Sequence, residues 1–346
     1  MSHELTKSVL AAVPVPCVLV GHDERVLTVN APAQALFGPG GEGRHYYTYL
    51  RQPALLDCVE TTLRLRSTRQ IRYLTTDMNR DATFEVSASP VEGSSGEAVL
   101  LCFEDVTQLE QAGEIRRDFV ANVSHELKTP LTALLGFIET LGGAARDDAQ
   151  ARDRFLAIML REAERMNRLV RDLLSLSRVE SEERMRPTER VDIVRLVNNA
   201  AAPLRAIADD AEVELELIGH KAPVFVQGDE DQLTQVFTNL IENGIKYGTS
   251  GTKVTVAVTY THRELAFRGP GVRVDVIDYG EGFDPVHIPR LTERFYRVDS
   301  HRSREMGGTG LGLAIVKHIV NRHRGRFRIE SQIGEGSKFS VVLPVD

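Results

Sequence analysis

His125 and Glu126 stand side by side in Phe119-Val-Ala-Asn-Val-Ser-His-Glu-Leu-Lys-Thr-Pro-Leu-Thr-Ala133, and Thr129 follows the histidine by four residues. A neutral imidazole is a usable nucleophile near neutral pH, a carboxylate stands beside it, and a hydroxyl one helical turn on shares its face. Most histidines on solvated helices do no chemistry. What gives this one weight lies more than a hundred residues later, where four segments carry the parts of a nucleotide site.

The first segment is Asn239-Leu-Ile-Glu-Asn243-Gly-Ile-Lys246-Tyr247, in which Asn239, Asn243 and Lys246 recur at steps of four and three and so share a helix face. Two amides and an ammonium can hold a hydrated Mg²⁺ with its polyphosphate, Asn243 being the candidate metal ligand. In the second, Val276-Ile-Asp278-Tyr-Gly280-Glu-Gly282, an aspartate placed to accept from an adenine amino group precedes glycines that let backbone approach a ring. The third, Gly307-Gly308-Thr309-Gly310-Leu311-Gly312, is a glycine-rich loop entering a helix, whose first amides favour phosphate oxygens. Gly334-Glu-Gly336-Ser is the fourth. The third segment ends in no Gly-Lys-Ser/Thr and sits in no βαβ unit, so it is neither a P-loop nor a dinucleotide fingerprint.

These residues need elements to hold them. Val120, Val123, Leu127, Leu131, Leu134, Ile138 and Leu141 recur every three or four positions, which predicts an amphipathic helix with His125 off its stripe. Leu141-Gly-Gly-Ala-Ala-Arg-Asp-Asp breaks it, and Phe155, Met159, Met166, Leu169, Leu173 and Leu176 mark a second helix. The two form an antiparallel hairpin with half-covered seams, so two chains are expected to pair into a four-helix bundle. Pro130 inside the first helix predicts a bend close to His125, which a plain coiled-coil spacer has no use for.

Ser181 to Arg190 is charged and proline-bearing and reads as a linker. Beyond it helices (about 191–211, 229–247, 311–322) alternate with strands (213–218, 224–227, 253–260, 272–277, 327–331, 337–343), which makes a two-layer α/β sandwich. Residues 1 to about 105 read as a small α/β module with strands at 17–20, 26–29, 71–75, 82–88 and 98–103. Polar turns fall at Gly21-His-Asp-Glu and Gly93-Ser-Ser-Gly96.

A net charge of −7 over 346 residues argues against binding nucleic acid through bulk electrostatics. Cys17, Cys58 and Cys102 have no paired metal or redox spacing, and an odd count suits a reducing compartment; all three are expected to be core or surface thiols. The most apolar N-terminal run, Val9 to Val20, is too short to span a bilayer and contains Pro14 and Pro16, and no secretion leader precedes it. A cytoplasmic location is the expectation.

In their order, the four segments resemble the N, G1, G2 and G3 boxes of the Bergerat ATP-binding fold, with Leu291-Thr-Glu-Arg-Phe-Tyr-Arg297 resembling the F box. Residues 283 to 307, with polar His301-Arg-Ser-Arg304-Glu at their centre, would then be an ATP lid. Phe119 to Leu134 matches the H box of sensor histidine kinases, and Glu164 to Glu180 resembles the second helix of their dimerisation domain. The wording of Ile288 to Asp299 and of Gly310 to His318 is similar to the phosphate-regulon group of that family.

This resemblance implies a multidomain α+β chain. A sensory domain over 1–107 would precede a dimerisation and phosphotransfer domain over 108–182 and a catalytic ATP-binding domain over 183–346. It implies ATP and Mg²⁺, with phosphates met by Lys246, Arg297 and the amides of Gly308, Thr309, Gly310, Leu311 and Gly312, and with Tyr247, Gly280 and Gly282 lining the nucleotide. His125 would take the γ-phosphoryl group and pass it to an aspartate of a response regulator, Glu126 would be the proton acceptor, and Thr129 would position water for dephosphorylating that regulator. The partners are a second copy of the chain and the regulator.

Asn30-Ala-Pro-Ala-Gln-Ala after the second strand, with Glu104-Asp105-Val-Thr107-Gln running into a helix, resembles a PAS sensory domain. Such domains can hold haem, flavin or a small ligand, the sequence supplies little support for any of them, and a ligand-free signal transmitter or dimerisation module is the expectation. His45 would be its candidate axial ligand were haem bound, and otherwise a surface or hydrogen-bonded histidine. Gly244 stands where the family usually has alanine. Phosphate-regulon sensors commonly carry membrane segments before the PAS domain, so either a soluble relative or a chain tethered by a membrane-bound partner is expected. Two other classes compete: a mechanical Bergerat ATPase, which lacks the H-box helix, and a kinase-dead scaffold.

Overall fold

In a computed structural model, residues 3–77, 80–93, 96–143, 145–183, 185–248, 252–298 and 308–345 are described, and they divide into two units, Met1–Ala121 and Asn122–Asp346. Among the described residues no helix is long and apolar enough to cross a membrane.

The first unit is built on an antiparallel sheet. Helix α1 (His3–Ala11) leads to β1 (Cys17–Gly21) and β2 (Val26–Val29); helices α2 (Ala31–Phe37), α3 (Tyr46–Leu50) and α4 (Pro53–Leu65) follow, then β3 (Arg69–Asp77), β4 (Arg80–Gly93) and β5 (Gly96–Asp105). The strands lie in the order β2-β1-β5-β4-β3, so the first and last strands pair at the centre. Alternation sends Val99, Leu101 and Phe103 of β5 into one core with Tyr46, Leu55 and Val59 of the helices. Phe37, Tyr73 and Phe84 gather around Phe103 at ring separations of 5.1 to 6.5 Å. The other face carries Cys17, Leu19 and Ala98 under Leu10 of α1. Every residue of β1 is buried because both faces of the strand are covered.

Asn30 holds the N-terminal segment in place. Its side-chain oxygen accepts from the amides of Cys17 (2.8 Å) and Ala33 (3.1 Å), and its Nδ2 lies 2.7 to 3.3 Å from the carbonyls of Leu10, Val13 and Val15. The asparagine that sequence marks after the second strand is thus at once a helix cap and a clasp on the N-terminal segment. His45 is a hydrogen-bonded surface histidine: its Nε2 lies 2.9 Å from Glu24 Oε2, and its Nδ1 caps α3. The expected turn at Gly93 to Gly96 lies partly outside the described residues.

Helix α5 spans Thr107–Gly142 and is continuous through Pro130. In the second unit its C-terminal part pairs with α6 (Ala149–Glu182), which Asp148 caps and where Phe155 stacks on Phe137 at 5.2 Å. Then come β6 (Glu189–Asp192), α7 (Ile193–Ala201), α8 (Leu204–Asp210), β7 (Glu214–Gly219), β8 (Phe225–Gly228), α9 (Glu230–Tyr247), β9 (Lys253–Glu264), β10 (Gly269–Asp278), a 3₁₀ turn (Pro285–Arg290), α10 (Gly312–Arg322), β11 (Arg326–Gln332) and β12 (Gly336–Pro344). The main sheet runs β11-β12-β10-β9-β7, with β7 parallel to β9 and the other pairs antiparallel.

One expectation is corrected here. The 224–227 strand does not join the main sheet; β8 pairs with β6 in a separate two-stranded ribbon, and β6 begins inside the stretch that reads as linker. Charge at Glu189 and Arg190 is compatible with a strand because the ribbon leaves both exposed while Val191 and Val226 are buried.

Helix α9 shows how the sandwich closes. Leu233, Val236, Phe237, Leu240, Ile241 and Ile245 are buried at steps of three and four, while Asn239, Asn243 and Lys246 remain half-exposed on the other side. Asp229 caps the helix through the Gln232 amide (3.1 Å), and the Asp229 amide donates to Nε2 of buried His323 at the end of α10 (3.0 Å).

Candidate functional site

The nucleotide-type residues converge at the ends of β10, α9 and β12. Asp278 is buried at the end of β10, opposite Ser337 of β12, and its Oδ1 accepts from the Gly280 amide at 3.1 Å. Burial pushes its carboxyl up, against the pull of hydrogen bonds from Gly280 and Ser337. The neighbouring backbone leaves no room for side chains. A Cβ on Gly280 would lie 2.2 Å from the Tyr247 carbonyl oxygen, and one on Gly336, at φ +90°, would lie 2.1 Å from that of Asp278. Expected box residues from three elements are therefore locked together by main chain.

The amide face of α9 meets the glycine loop at its far end. Asn239 Nδ2 lies 3.5 Å from the Gly312 carbonyl, and Lys246 Nζ lies 4.0 Å from Glu242. Asn243 is half-exposed beside them, and Tyr247 is exposed. Gly308 is half-buried and Leu311 fully buried, and the Thr309 hydroxyl accepts from the Leu311 amide at 3.3 Å. Gly310 accepts from the Phe295 amide at 2.8 Å, which ties the third segment to Leu291–Arg297. Of the stretch expected to form a lid, 299–307 lies outside the described residues.

The second group lies along α5. His125 and Thr129 are exposed, and they line a cleft of about 450 Å³ with Asn122, Glu126, Phe295, Tyr296 and Arg297. The Thr129 hydroxyl donates to the His125 carbonyl at 3.1 Å, which leaves its lone pairs toward solvent. Glu126 Oε2 receives Arg165 of α6 at 2.9 Å and Arg297 at 3.2 Å. Arg297 thus sits on the carboxylate next to the histidine, although sequence placed it on phosphate. It is 6% exposed and its Nε has no hydrogen-bond partner among the described residues.

Sequence reasoning missed the groups that hold α6 against the ATP-type layer. Thr309 Oγ1 donates to Asp172 at 2.7 Å, and the Asp172 carboxyl is raised by burial. Arg294 pairs with Glu180, His318 with Glu183 (3.0 Å), Arg322 with Glu182 (3.2 Å), and Ser175 donates to Gln235 (2.8 Å). The available signal was the run of carboxylates at 172, 180, 182 and 183, on a helix otherwise rich in arginine. Leu169, Leu176 and Val179 are buried within this contact.

A helical hairpin thus presents a histidine-carboxylate pair and packs on an α/β layer with a buried aspartate among glycine turns. Residues 115–182 match the His Kinase A (phospho-acceptor) domain, and residues 228–346 match the histidine kinase-, DNA gyrase B- and HSP90-like ATPase. The chain belongs to the sensor histidine kinases.

It is 39% identical over 241 residues to the phosphate regulon sensor protein PhoR of Pseudomonas aeruginosa, covering 70% of this chain and 53% of that protein. It is 32% identical over 344 residues to the sensor histidine kinase WalK of Bacillus subtilis, covering 97% and 54%. A WalK sensor kinase of Staphylococcus saprophyticus is also 39% identical, over 242 residues, 70% of this chain and 38% of that one. The chain spans about half the length, or less, of these relatives. Among solved structures, Acinetobacter baumannii histidine kinase AdeS matches 64% of this chain and 98% of its own at 25% identity and a TM-score of 0.50. Histidine kinase ThkA, solved in complex with response regulator protein TrrA, shares the fold over 98% of both chains at 20% identity and a TM-score of 0.53.

Proposed function

We propose that this chain is an ATP-dependent protein-histidine kinase that phosphorylates His125 and passes the phosphoryl group to an aspartate of a response regulator. The carrying observation is the cleft in which His125, Glu126 and Thr129 meet Phe295 and Arg297, with Phe295 hydrogen-bonded to the glycine loop at Gly310. One short segment borders both the acceptor histidine and the loop suited to phosphate. The shared cleft favours a kinase over a mechanical ATPase.

ATP fits the chain as substrate. Asp278 offers a buried acceptor to the adenine amino group, and the backbone around Gly280, Gly282 and Gly336 leaves a flat wall for the ring. Lys246 and the amides of 308–312 meet the phosphates, with Tyr247 at the rim. Asn243, assisted by Asn239, is suited to hold Mg²⁺ through its water shell, and the metal would neutralise phosphate charge. Glu126 would orient the imidazole and accept its proton once Arg297 exchanges its carboxylate for phosphate oxygens. Thr129 would place water for the reverse, phosphatase reaction, since its hydroxyl lone pairs remain available.

Dimerisation is supported by the hairpin itself. Leu131, Leu135, Ile138, Leu156 and Leu160 are about half-exposed or more within one chain, and a second hairpin would cover them as a four-helix bundle. The regulator would dock on that bundle, as the ThkA complex has a regulator bound. The N-terminal unit, with three helices between its second and third strands and a β2-β1-β5-β4-β3 sheet, supports a PAS sensory reading. We keep the boundaries 1–107, 108–182 and 183–346 as the domain division. Equal identity to a phosphate-regulon sensor and to a WalK sensor makes the motif wording a mark of the wider group that holds both.

The test is incubation with γ-phosphate-labelled ATP. Acid-labile, base-stable label is expected on the wild-type chain and none on His125→Gln, whereas Thr129→Ala should keep autophosphorylation and lose regulator dephosphorylation. ATP hydrolysis without labelled protein would establish the mechanical alternative; ATP binding without either would establish the scaffold.

A further inference from the structure

Cys17 of β1 stands directly opposite Cys102 of β5 in the first unit, with the two sulfurs 3.5 Å apart. The next pair along, Pro16 and Phe103, is joined by a hydrogen bond from the Phe103 amide to the Pro16 carbonyl. Cys17 and Cys102 therefore occupy the non-hydrogen-bonded position of the ladder, where facing Cα atoms approach to about 4.5 Å and side chains are closest. That separation is within the range a disulfide bridges without backbone movement, about 4.4 to 6.8 Å. Both are free thiols. Sequence spacing could not show this, because the strands that meet are the first and last of the unit.

The surroundings make the pair chemically unequal. Its face of the sheet is the minor one, under α1, away from the aromatic core. Cys17 is fully buried and its amide is held by Asn30, whereas Cys102 is partly exposed on the same face. The Cys17 thiol donates to Cys102, which draws the Cys102 thiol down to about 7 while Cys17 is pushed up. Cys58, in the other core beside Thr62, has no facing sulfur and is raised by burial. Reachability and thiolate character coincide on one sulfur, and its resolving partner is fixed beside it.

We propose that Cys17 and Cys102 form a redox modification site that closes to a disulfide when the chain meets a peroxide. The Cys102 thiolate attacks one oxygen of hydrogen peroxide, the O–O bond breaks, and hydroxide leaves to become water, giving a sulfenic acid. The Cys17 sulfur then attacks the sulfenic sulfur, its proton leaving with the displaced hydroxide as a second water. Two thiols lose two electrons and peroxide gains them. The product joins β1 to β5, the strand that ends at Asp105, whose carboxylate accepts from the Thr107 amide (2.9 Å) at the start of α5. A disulfide of this kind in a reducing compartment belongs to the transient, sensing class.

The experiment treats the reduced 346-residue chain with hydrogen peroxide, then alkylates it under denaturing conditions for peptide mapping without reductant. The expected result is a peptide containing Cys17 linked to one containing Cys102, alkylation retained only at Cys58, and full reversal by dithiothreitol. Cys17→Ser should lose the link and accumulate a dimedone-reactive sulfenic acid at Cys102, and Cys58→Ser should keep the link. Recovery of Cys102 as sulfinic acid beside an alkylatable Cys17, or a link running through Cys58 or between two chains, would overturn the proposal. So would a Cys17→Ser chain with no dimedone adduct. The wild-type map alone decides if a variant does not fold.

Discussion

Around Asp278 the backbone itself closes the site, whereas around His125 side-chain ion pairs do. Glycines 280 and 336 lie so near facing carbonyls that a methyl group would fall about 2.1 to 2.2 Å from oxygen. Those contacts are fixed by sheet register and cannot exchange. Glu126, by contrast, is shared by two guanidiniums, and α6 is held to the ATPase layer by Thr309–Asp172, Arg322–Glu182 and His318–Glu183. Such side-chain pairs can be exchanged for other charged partners without moving main chain, although breaking one with no replacement is costly where it is buried. The proposed kinase reaction needs both kinds of construction: a nucleotide pocket that is always formed, and an acceptor that can be approached and left.

The comparison breaks most directly at Gly336. Alanine there must hold φ near +90° and displace the Asp278 carbonyl, a combined cost of about 3 kcal/mol or more. Gly336→Ala is expected to lower the thermal midpoint of the C-terminal unit and to abolish ATP binding in calorimetry. A variant that binds ATP normally would show that the main-chain wall is not fixed. The ion-pair half should respond less and differently. Glu126→Gln leaves Arg165 and the 6%-exposed Arg297 facing a neutral amide, and about 2 kcal/mol of the contact that ties α5 to α6 and to the Leu291–Arg297 segment should be lost. Faster hydrogen exchange at residues 122–130 and 293–298, with ATP affinity kept, is the expected signature.

A smaller effect joins the two halves through His323. This ring is buried, donates from Nδ1 to Ile319 and accepts at Nε2 from the Asp229 amide that opens α9. Burial is the largest cause of its pKa lying below the ordinary 6.5. A depressed histidine contributes stability above its unfolded pKa, because both states are then neutral. Below that the unfolded chain takes up the proton first, so stability falls as pH drops through about 6.5, by at most about 1.4 kcal/mol per pH unit. Urea melts from pH 7.5 to 5.5 should show the loss, and His323→Gln should flatten it. An unchanged slope in the variant would mean that another group titrates.

Sequence locates the residues of the proposed nucleotide site and only some of the contacts around His125. Asp278, the glycines and the α9 amides are chemistry on short local frames, so residue type and spacing locate them before any fold is known. Helix α9 could be drawn to its cap because Asp229 and the apolar steps agree. Arg297 could not be placed, since its partner Glu126 lies 171 positions away and only packing chooses between carboxylate and phosphate. The same holds for Cys17 and Cys102, and for Thr309 with Asp172. Helices α3 and α4 went unmarked because Tyr46, Tyr49, Leu55, Val59 and Thr62 make a narrow buried side broken by Pro53. The β6–β8 ribbon is not legible because the strand pattern at 224–227 names no partner strand and the charges at Glu189 and Arg190 mask β6.

Gly244 gives the comparison its finest edge. Alanine should stabilise α9 by about 1 kcal/mol over glycine, and family resemblance would place it there. In this chain a Cβ at 244 would lie 3.0 Å from Val254 Cγ1 and 3.3 Å from Cγ2, on the interior strand β9. Valine is stiff at χ1 and both flanking elements are anchored, so the contact cannot open cheaply. The two terms are of similar size, and Gly244→Ala is expected to change stability by less than about 1 kcal/mol in either direction. The informative measurement is the cycle with Val254→Ala. That change alone should cost about 2 kcal/mol for the cavity it leaves, and adding Gly244→Ala should recover part of it by restoring helix propensity into the space. A coupling energy near zero would mean that α9 and β9 slide apart freely. The wall behind Asn243 would then be as adjustable as the ion pairs around Glu126, and the contrast between the halves would fail.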